Sequence, residues 1–236
     1  MSDLEAFGIN LLTCDVTSSS SVAQLKTEVH RITDGKLHYL INNAGRNYTV
    51  PATDIDMAEV EETFQANVFG VMRMCQVFAP LLIEAKGTIV QIGSVAAIMP
   101  YVFGSVYNSS KAALHQYSNT LRLELKAFDV NVITVVTGGV KSNIANTPRD
   151  LPEDSIYVPL AQEYQRRLKH SQEVGIANEA YAKYVVPRLI GGTKKRTVWA
   201  GYGAWLIWFS STFLPWSVFV SCLLHPIPRF PVMGLC

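Results

Sequence analysis

Five short runs rich in β-branched and other apolar residues, Ile9 to Cys14, Leu37 to Asn42, Thr88 to Ile92, Val130 to Val136 and Thr197 to Ala200, alternate along the chain with longer stretches of helical period. This alternation constrains the fold more than any other feature, because it is the pattern of βαβ units around a parallel sheet. Most of the runs are apolar nearly throughout, as strands covered by helices on both faces must be. Between them, Val60, Phe64, Val68, Val71, Cys75, Phe78 and Leu82 recur at three- and four-residue steps, as do Leu114, Tyr117, Leu121 and Leu125, so each set predicts a helix with one buried stripe. At 236 residues the chain suits one α/β domain with a doubly wound parallel sheet, here placed at residues 1–201.

Two segments fall outside that rhythm. From about Lys141 to Gly175 three prolines and the cations Arg149, Arg166, Arg167 and Lys169 occur without a clean period, which reads either as a substrate lid carrying a short helix or as a solvated surface insertion. A substrate phosphate would suit one of those cations, and a solvated charged face would equally account for each of them singly. Residues 202–224 carry no charge and include Trp205, Trp208, Phe209, Phe213, Trp216 and Phe219, enough apolar length for a membrane-attachment segment. Lys194, Lys195 and Arg196 precede it and Arg229 follows in the tail, 225–236, so the catalytic domain is expected on the cytosolic side. Pro215 allows a kinked span or a hairpin, and a buried C-terminal helix or an oligomer contact is the alternative.

Composition removes other classes. Lys and Arg total 20 against 19 Asp and Glu, a net charge of +1 that offers nucleic acid no basic field. Cys14, Cys75, Cys222 and Cys236 show neither a CxxC pair nor a histidine at metal-ligand spacing, so neither zinc nor a disulfide framework is expected, and a reducing compartment fits.

The candidate chemistry lies in four polar positions. Tyr107 and Lys111 are four residues apart on one helix face, and an ammonium beside a phenol favours the phenolate, bringing a pKa near 10 toward the range useful for proton exchange. Ser94 closes the run Thr88 to Ser94 at a Gly-Ser turn, the strand end at which open α/β sheets bind ligands, where its hydroxyl either holds a reacting carbonyl oxygen or caps a turn. Asn67 interrupts an apolar helical stripe, and its buried amide needs partners, either a water or a neighbouring backbone. Asn42, Asn43, Ala44 and Gly45 end another strand with small, turn-forming residues that either admit a flat ring close to the backbone or simply form a tight turn.

Together these residues resemble the short-chain dehydrogenase/reductase family over about residues 8 to 201. The resemblance implies a Rossmann-like sheet, a nicotinamide cofactor, and transfer of a hydride to or from a small-molecule carbonyl or alcohol. It implies that Tyr107 is the acid/base, that Lys111 lowers its pKa and binds the nicotinamide ribose, that Ser94 orients substrate, and that Asn67 holds a water in a proton relay. Asp15 would contact adenine, Asn42, Ala44 and Gly45 would line the cofactor, and Gly139, Val140 and Ser142 would follow it along the next strand end, where Thr137-Gly138 stands for the usual Pro-Gly. Within the family, the segments Asp34 to Gly45, Ala85 to Val90, Thr137 to Val140 and Leu151 to Tyr157 look like fungal 1-acyldihydroxyacetone-phosphate reductases. Those use NADPH and associate with the endoplasmic reticulum and lipid droplets, and fungal secondary-metabolite reductases are similar.

The resemblance therefore implies NADP, with NAD not excluded, a lipid-like or secondary-metabolite substrate, attachment to a membrane or lipid-droplet surface, and possible homo-oligomerisation. It also implies a strand and glycine-rich turn ahead of Asp15 to hold a pyrophosphate, and no GxxxGxG or GxGxxG stands there. The expectation is an N-terminally truncated version of the fold, with at least one βαβ unit of about 30 residues missing. A truncated pseudoenzyme acting as a binding or regulatory protein at a membrane is the alternative function.

Overall fold

The computed structural model of the chain describes residues 2–145, 149–191 and 196–218. After a short turn of helix α1 (Ser2–Glu5), the order is α2 (Ser19–Thr33), β1 (Tyr39–Asn42), α3 (Met57–Phe64), α4 (Gly70–Ala85), β2 (Thr88–Ser94), α5 (Ser105–Leu125), β3 (Asn131–Thr137), β4 (Val140–Lys141), α6 (Ala161–Val174), β5 (Ile176–Ala177), α7 (Asn178–Ile190), β6 (Thr197–Ala200) and α8 (Ala204–Phe213). Strands β1, β2, β3 and β6 form one parallel sheet in that order, and β4 and β5 form a separate two-stranded parallel ladder. The fold is the expected Rossmann-like α/β arrangement.

Alternate residues of the strands serve the two faces. Leu40, Ile89 and Val132 pack with Val22 of α2, with Leu114 of α5, and with Val71, Met74, Cys75, Phe78, Leu81 and Leu82 of α4. On the opposite face Val90, Ile133, Val135 and Val198 meet Val185 and Leu189 of α7. At about 1.5–3 kcal/mol for each fully buried large aliphatic or aromatic side chain, these two layers hold the sheet. Local signals set the helix starts. Ser18 caps α2 by accepting from the Ser21 amide, and Asp56 caps α3 by accepting from the Ala58 amide.

Helices α3 and α4 run on through a π turn, Gln65–Phe69, rather than as a single regular helix. This run, Met57–Ala85, is long and apolar enough to cross a membrane, but half of its most apolar 18-residue stretch is buried inside the fold, where it supplies core residues.

Two expectations are corrected. Residues 9–14 form no strand. Ile9, Leu11 and Leu12 are exposed, and none of the described strands pairs with them to take up their backbone groups. The segment after β4 contains a helix of 14 residues, α6, longer than the short helix expected there. In the apolar C-terminal stretch, α8 has 10 residues and its chain turns extended at Leu214, just before Pro215. Residues 219–224 of that stretch, the tail 225–236, and Lys194 and Lys195 lie outside the described residues.

Candidate active site

All four strands of the main sheet are parallel, so their carboxyl ends share one edge, and Ser94 stands there in register with Thr137. The Ser94 side chain accepts from the Ala96 amide at 3.1 Å, capping a short 3₁₀ turn, Val95–Ala97, that breaks the strand at this point. Helix α5 begins soon after and carries Tyr107 and Lys111 on successive turns beside the strand end.

The Ser94 hydroxyl is turned to the Tyr107 phenol. Burial raises the phenol's pKa, while Ser94 and then the Arg167 charge oppose the rise. Lys111 Nζ donates to the Ile92 carbonyl at 3.0 Å and lies 5.8 Å from the Tyr107 ring centroid. Burial lowers the pKa of Lys111 itself to about 8.

Asn67 sits in the π turn with its amide committed to the backbone alternative. Oδ1 accepts from the Arg46 amide at 2.8 Å, and Nδ2 donates to the Arg46 carbonyl at 2.9 Å and to Ser110 Oγ at 3.0 Å. Ser110 in turn donates to the Tyr107 carbonyl at 2.8 Å. The loop after β1 is thereby tied to the first turns of α5. Gly45 is part of this fit, since a Cβ there would come within 2.9 Å of Asn67 Oδ1 and 3.7 Å of Lys111 Nζ.

The Asn42 side chain turns into the core. It is buried between sheet and α4, where Nδ2 donates to Gln91 Oε1 at 3.0 Å and to Cys75 Sγ at 3.5 Å. Ala44 and Gly45, by contrast, are exposed at the strand end. Asp15 is exposed and accepts from the Thr17 amide and hydroxyl at 2.8 and 2.7 Å, bonds that hold its carboxyl below the usual range. Gly139 exchanges backbone hydrogen bonds with Tyr202, and Val140 pairs with Ile176, so the turn after β3 is pinned from two sides. Ser142 follows β4, and its carbonyl accepts from the Gln172 side chain of α6.

One positioning residue was missed. His115 Nε2 accepts from the Ser94 amide at 3.2 Å, and a Cβ on Gly93 would fall 2.1 Å from the same nitrogen, so imidazole and strand end fit against each other. Burial, with the nearby Lys111 charge, lowers its pKa to about 4 and keeps it a neutral acceptor. The available signal was spacing, because Tyr107, Lys111 and His115 follow one another at four-residue steps on one helix face.

The short chain dehydrogenase family profile matches residues 2–151. The chain belongs to that family. It is 44% identical over 212 residues to a short-chain dehydrogenase, virD, of Hypocrea virens, covering 89% of this chain and 74% of that one. It is 39% identical over 221 residues to an NADPH-dependent 1-acyldihydroxyacetone phosphate reductase of Schizosaccharomyces pombe, covering 86% and 73%. Among solved structures it is similar to a short-chain dehydrogenase from Burkholderia cenocepacia in complex with NADP, with a TM-score of 0.70 at 23% identity over 90% of this chain and 77% of that one.

The nicotinamide-ribose end of a dinucleotide fits the residues present. The exposed Ala44–Gly45 backbone lies close to Lys111 Nζ and carries no side chain larger than a methyl group, as a flat cofactor lying against the strand ends requires. The membrane-associated binding protein considered as an alternative gains nothing from these likenesses, whose printed names are those of dehydrogenases and reductases.

Proposed function

We propose that the chain is an NADP(H)-dependent reductase of a carbonyl on a lipid-like or secondary-metabolite substrate, or catalyses the reverse oxidation. The observation that carries this reading is the packing of Tyr107 against Ser94 at the carboxyl edge of the sheet, with Lys111 and Gly45 bordering the space in front of them. One relative supports this cofactor and substrate class, through the NADPH dependence and the acyldihydroxyacetone phosphate in the name of the fission-yeast reductase.

When bound, the cofactor supplies or accepts a hydride at the reacting carbon. The protein supplies the rest. Ser94 donates to the carbonyl oxygen and fixes it beside Tyr107 Oη, Tyr107 gives that oxygen its proton, and Lys111 holds the ribose hydroxyls with the donors that Ile92 leaves free. A phenol remains a stronger acid than an alcohol and can protonate an alkoxide, and the Arg167 charge, which opposes the rise in its pKa, steadies the phenolate that remains.

The exposed aromatic and aliphatic surface of α8 and its continuation, Trp205, Leu206, Trp208, Phe209, Phe213, Leu214, Trp216 and Val218, supports attachment to a membrane or lipid-droplet surface, with the sheet on the cytosolic side. A 10-residue helix is about half the length needed to cross a bilayer, so its described part suits lying in the interface.

The decisive measurement is NADPH consumption by the purified full chain over a panel of long-chain ketones, repeated with Tyr107→Phe. Turnover lost in the variant supports the reading. A wild-type protein that binds neither NADPH nor NADH overturns it. For attachment, detergent-free fractionation of the intact protein against one truncated at Tyr202 gives the answer, and equal solubility of the two rejects it.

A further inference from the structure

The segment between β4 and α7 contains four cations, and the structure separates them. Arg166 and Lys169 are exposed on α6. Arg149 is neutralised, since its Nη2 meets Glu59 at 2.7 Å and Glu59 is shared with Arg46. Arg167 differs from all three. It lies one turn along α6 from Tyr164, which is almost wholly buried and packs edge-on against Phe103, so Arg167 is carried inward on the same face. Its guanidinium carbon sits 4.8 Å from the Tyr101 ring centroid. It forms no ion pair among the described residues, and its Nε is fully buried without a hydrogen-bond partner.

Arg149 Nε is likewise buried without a hydrogen-bond partner, but that guanidinium is paired through Nη2 with Glu59, whereas other arginines held against the fold use the Nε donor itself. Arg122 Nε donates to the Val132 carbonyl at 2.8 Å and Arg73 Nε to Ser19 Oγ at 3.0 Å. A buried guanidinium N–H without an acceptor costs about 1–3 kcal/mol, so a fold that keeps one leaves a place for an acceptor to arrive. That place borders Tyr101, over whose ring the guanidinium lies, and the Arg167 charge reaches the Tyr107 phenol from there. Tyr101 covers one face of the guanidinium and leaves its edge, the side that carries the N–H donors, for recognition.

We propose that Arg167 is the receptor for an acidic group on the substrate, a carboxylate or a phosphate, placed within a few bonds of the carbonyl that Tyr107 protonates. This rests on the reductase reading, and it adds that the substrate is an oxo acid or an acidic ester of a hydroxyketone rather than a neutral ketone. The geometry gives Arg167 two consequences at once: it selects the substrate by charge, and it seats the carbonyl by holding the chain a fixed distance from Tyr107.

The test uses matched pairs of substrates with the full chain: a long-chain β-keto acid and its methyl ester, and the phosphate ester of a long-chain α-hydroxyketone and its free alcohol. NADPH consumption gives kcat/KM for each member, and calorimetric titration onto cofactor-free protein gives binding without turnover. The wild type is expected to favour the acidic member of at least one pair by roughly 10- to 100-fold, mainly in KM, and the pair with the larger preference names the acid. Arg167→Met brings the two members of that pair to parity, and Arg167→Lys retains part of the preference. Equal treatment of both pairs by the wild type, or a preference that survives Arg167→Met, overturns the receptor while leaving the reductase reading in place. Acid-selective binding that is lost in Arg167→Met, in a protein that consumes no NADPH, keeps the receptor and removes the reductase reading.

Discussion

The two sides of the main sheet contrast. Strands β2 and β3 form its interior, where Ile89, Val90, Val132, Ile133 and Val135 are fully buried and Ser94, Thr137 and the base of α5 come together. Strand β1 is an edge, with Ile41 exposed by 53% and Tyr39 by 36%. The proton-transferring groups all belong to the packed side, whereas Asp15 and the exposed Ala44–Gly45 turn belong to the open one. Rigidity is therefore concentrated where a proton must be placed within a fraction of an ångström.

The contrast can be broken first at Tyr107. Tyr107→Phe should lower turnover by at least roughly 100-fold while leaving the urea unfolding midpoint within about 0.5 kcal/mol of wild type. Turnover that survives would mean that proton transfer does not run through the packed side.

Stability should divide the same way. Ile89→Ala, in the interior, should cost about 2–5 kcal/mol in urea unfolding. The adjacent strand β1 offers the control, because Ile41→Ala, at the edge and in register with Val90, should cost less than about 0.5 kcal/mol. Similar losses at both positions would show that the β1 edge is covered in solution.

A third expectation concerns His115, whose folded pKa near 4 lies below its ordinary 6.5. Between those values the unfolded chain binds a proton that the folded chain refuses, so the stability held above pH 6.5 is lost as pH falls through 4. The loss is roughly 2–3 kcal/mol, and protonation also removes the acceptor of the Ser94 amide. His115→Gln should flatten this slope in acid unfolding titrations, and an unchanged slope would assign it to other groups. The smallest effect is expected from Ile41→Lys, which should leave unfolding nearly unchanged and reduce self-association in light scattering if the open edge is sticky.

Legibility in the sequence followed the same division. Runs at 88–92, 130–136 and 197–200 were readable because burial on both faces leaves a nearly continuous apolar signature, and the observed strands extend the first, shift the second by one residue and match the third. The run at 9–14 has similar composition, but a strand exists only where a neighbour accepts its backbone hydrogen bonds, and composition does not report the neighbour. Tyr107, Lys111, Ser94 and Asn67 stood out as polar residues in a recognisable order. Their partners did not: whether Asn42 faces the core or the crevice depends on Gln91 and Cys75, and the difference between Arg167 and Arg166 depends on which face Tyr164 turns inward. These are decided by tertiary packing, and no local pattern contains them.

The π turn at Gln65–Phe69 acts as a phase shifter. One residue advances an α-helix by about 100°, and the wide turn lets Asn67 address the site loop while Val71, Met74 and Phe78, further along the same run, address the sheet. Removing a single residue there would make the helix regular and force those two demands into conflict, so that either the loop clamp or the core stripe would be misaligned. The length of this helix is therefore fixed by angular register as well as by the distance it spans, and single-residue deletions within it should be far less tolerated than substitutions at its exposed positions.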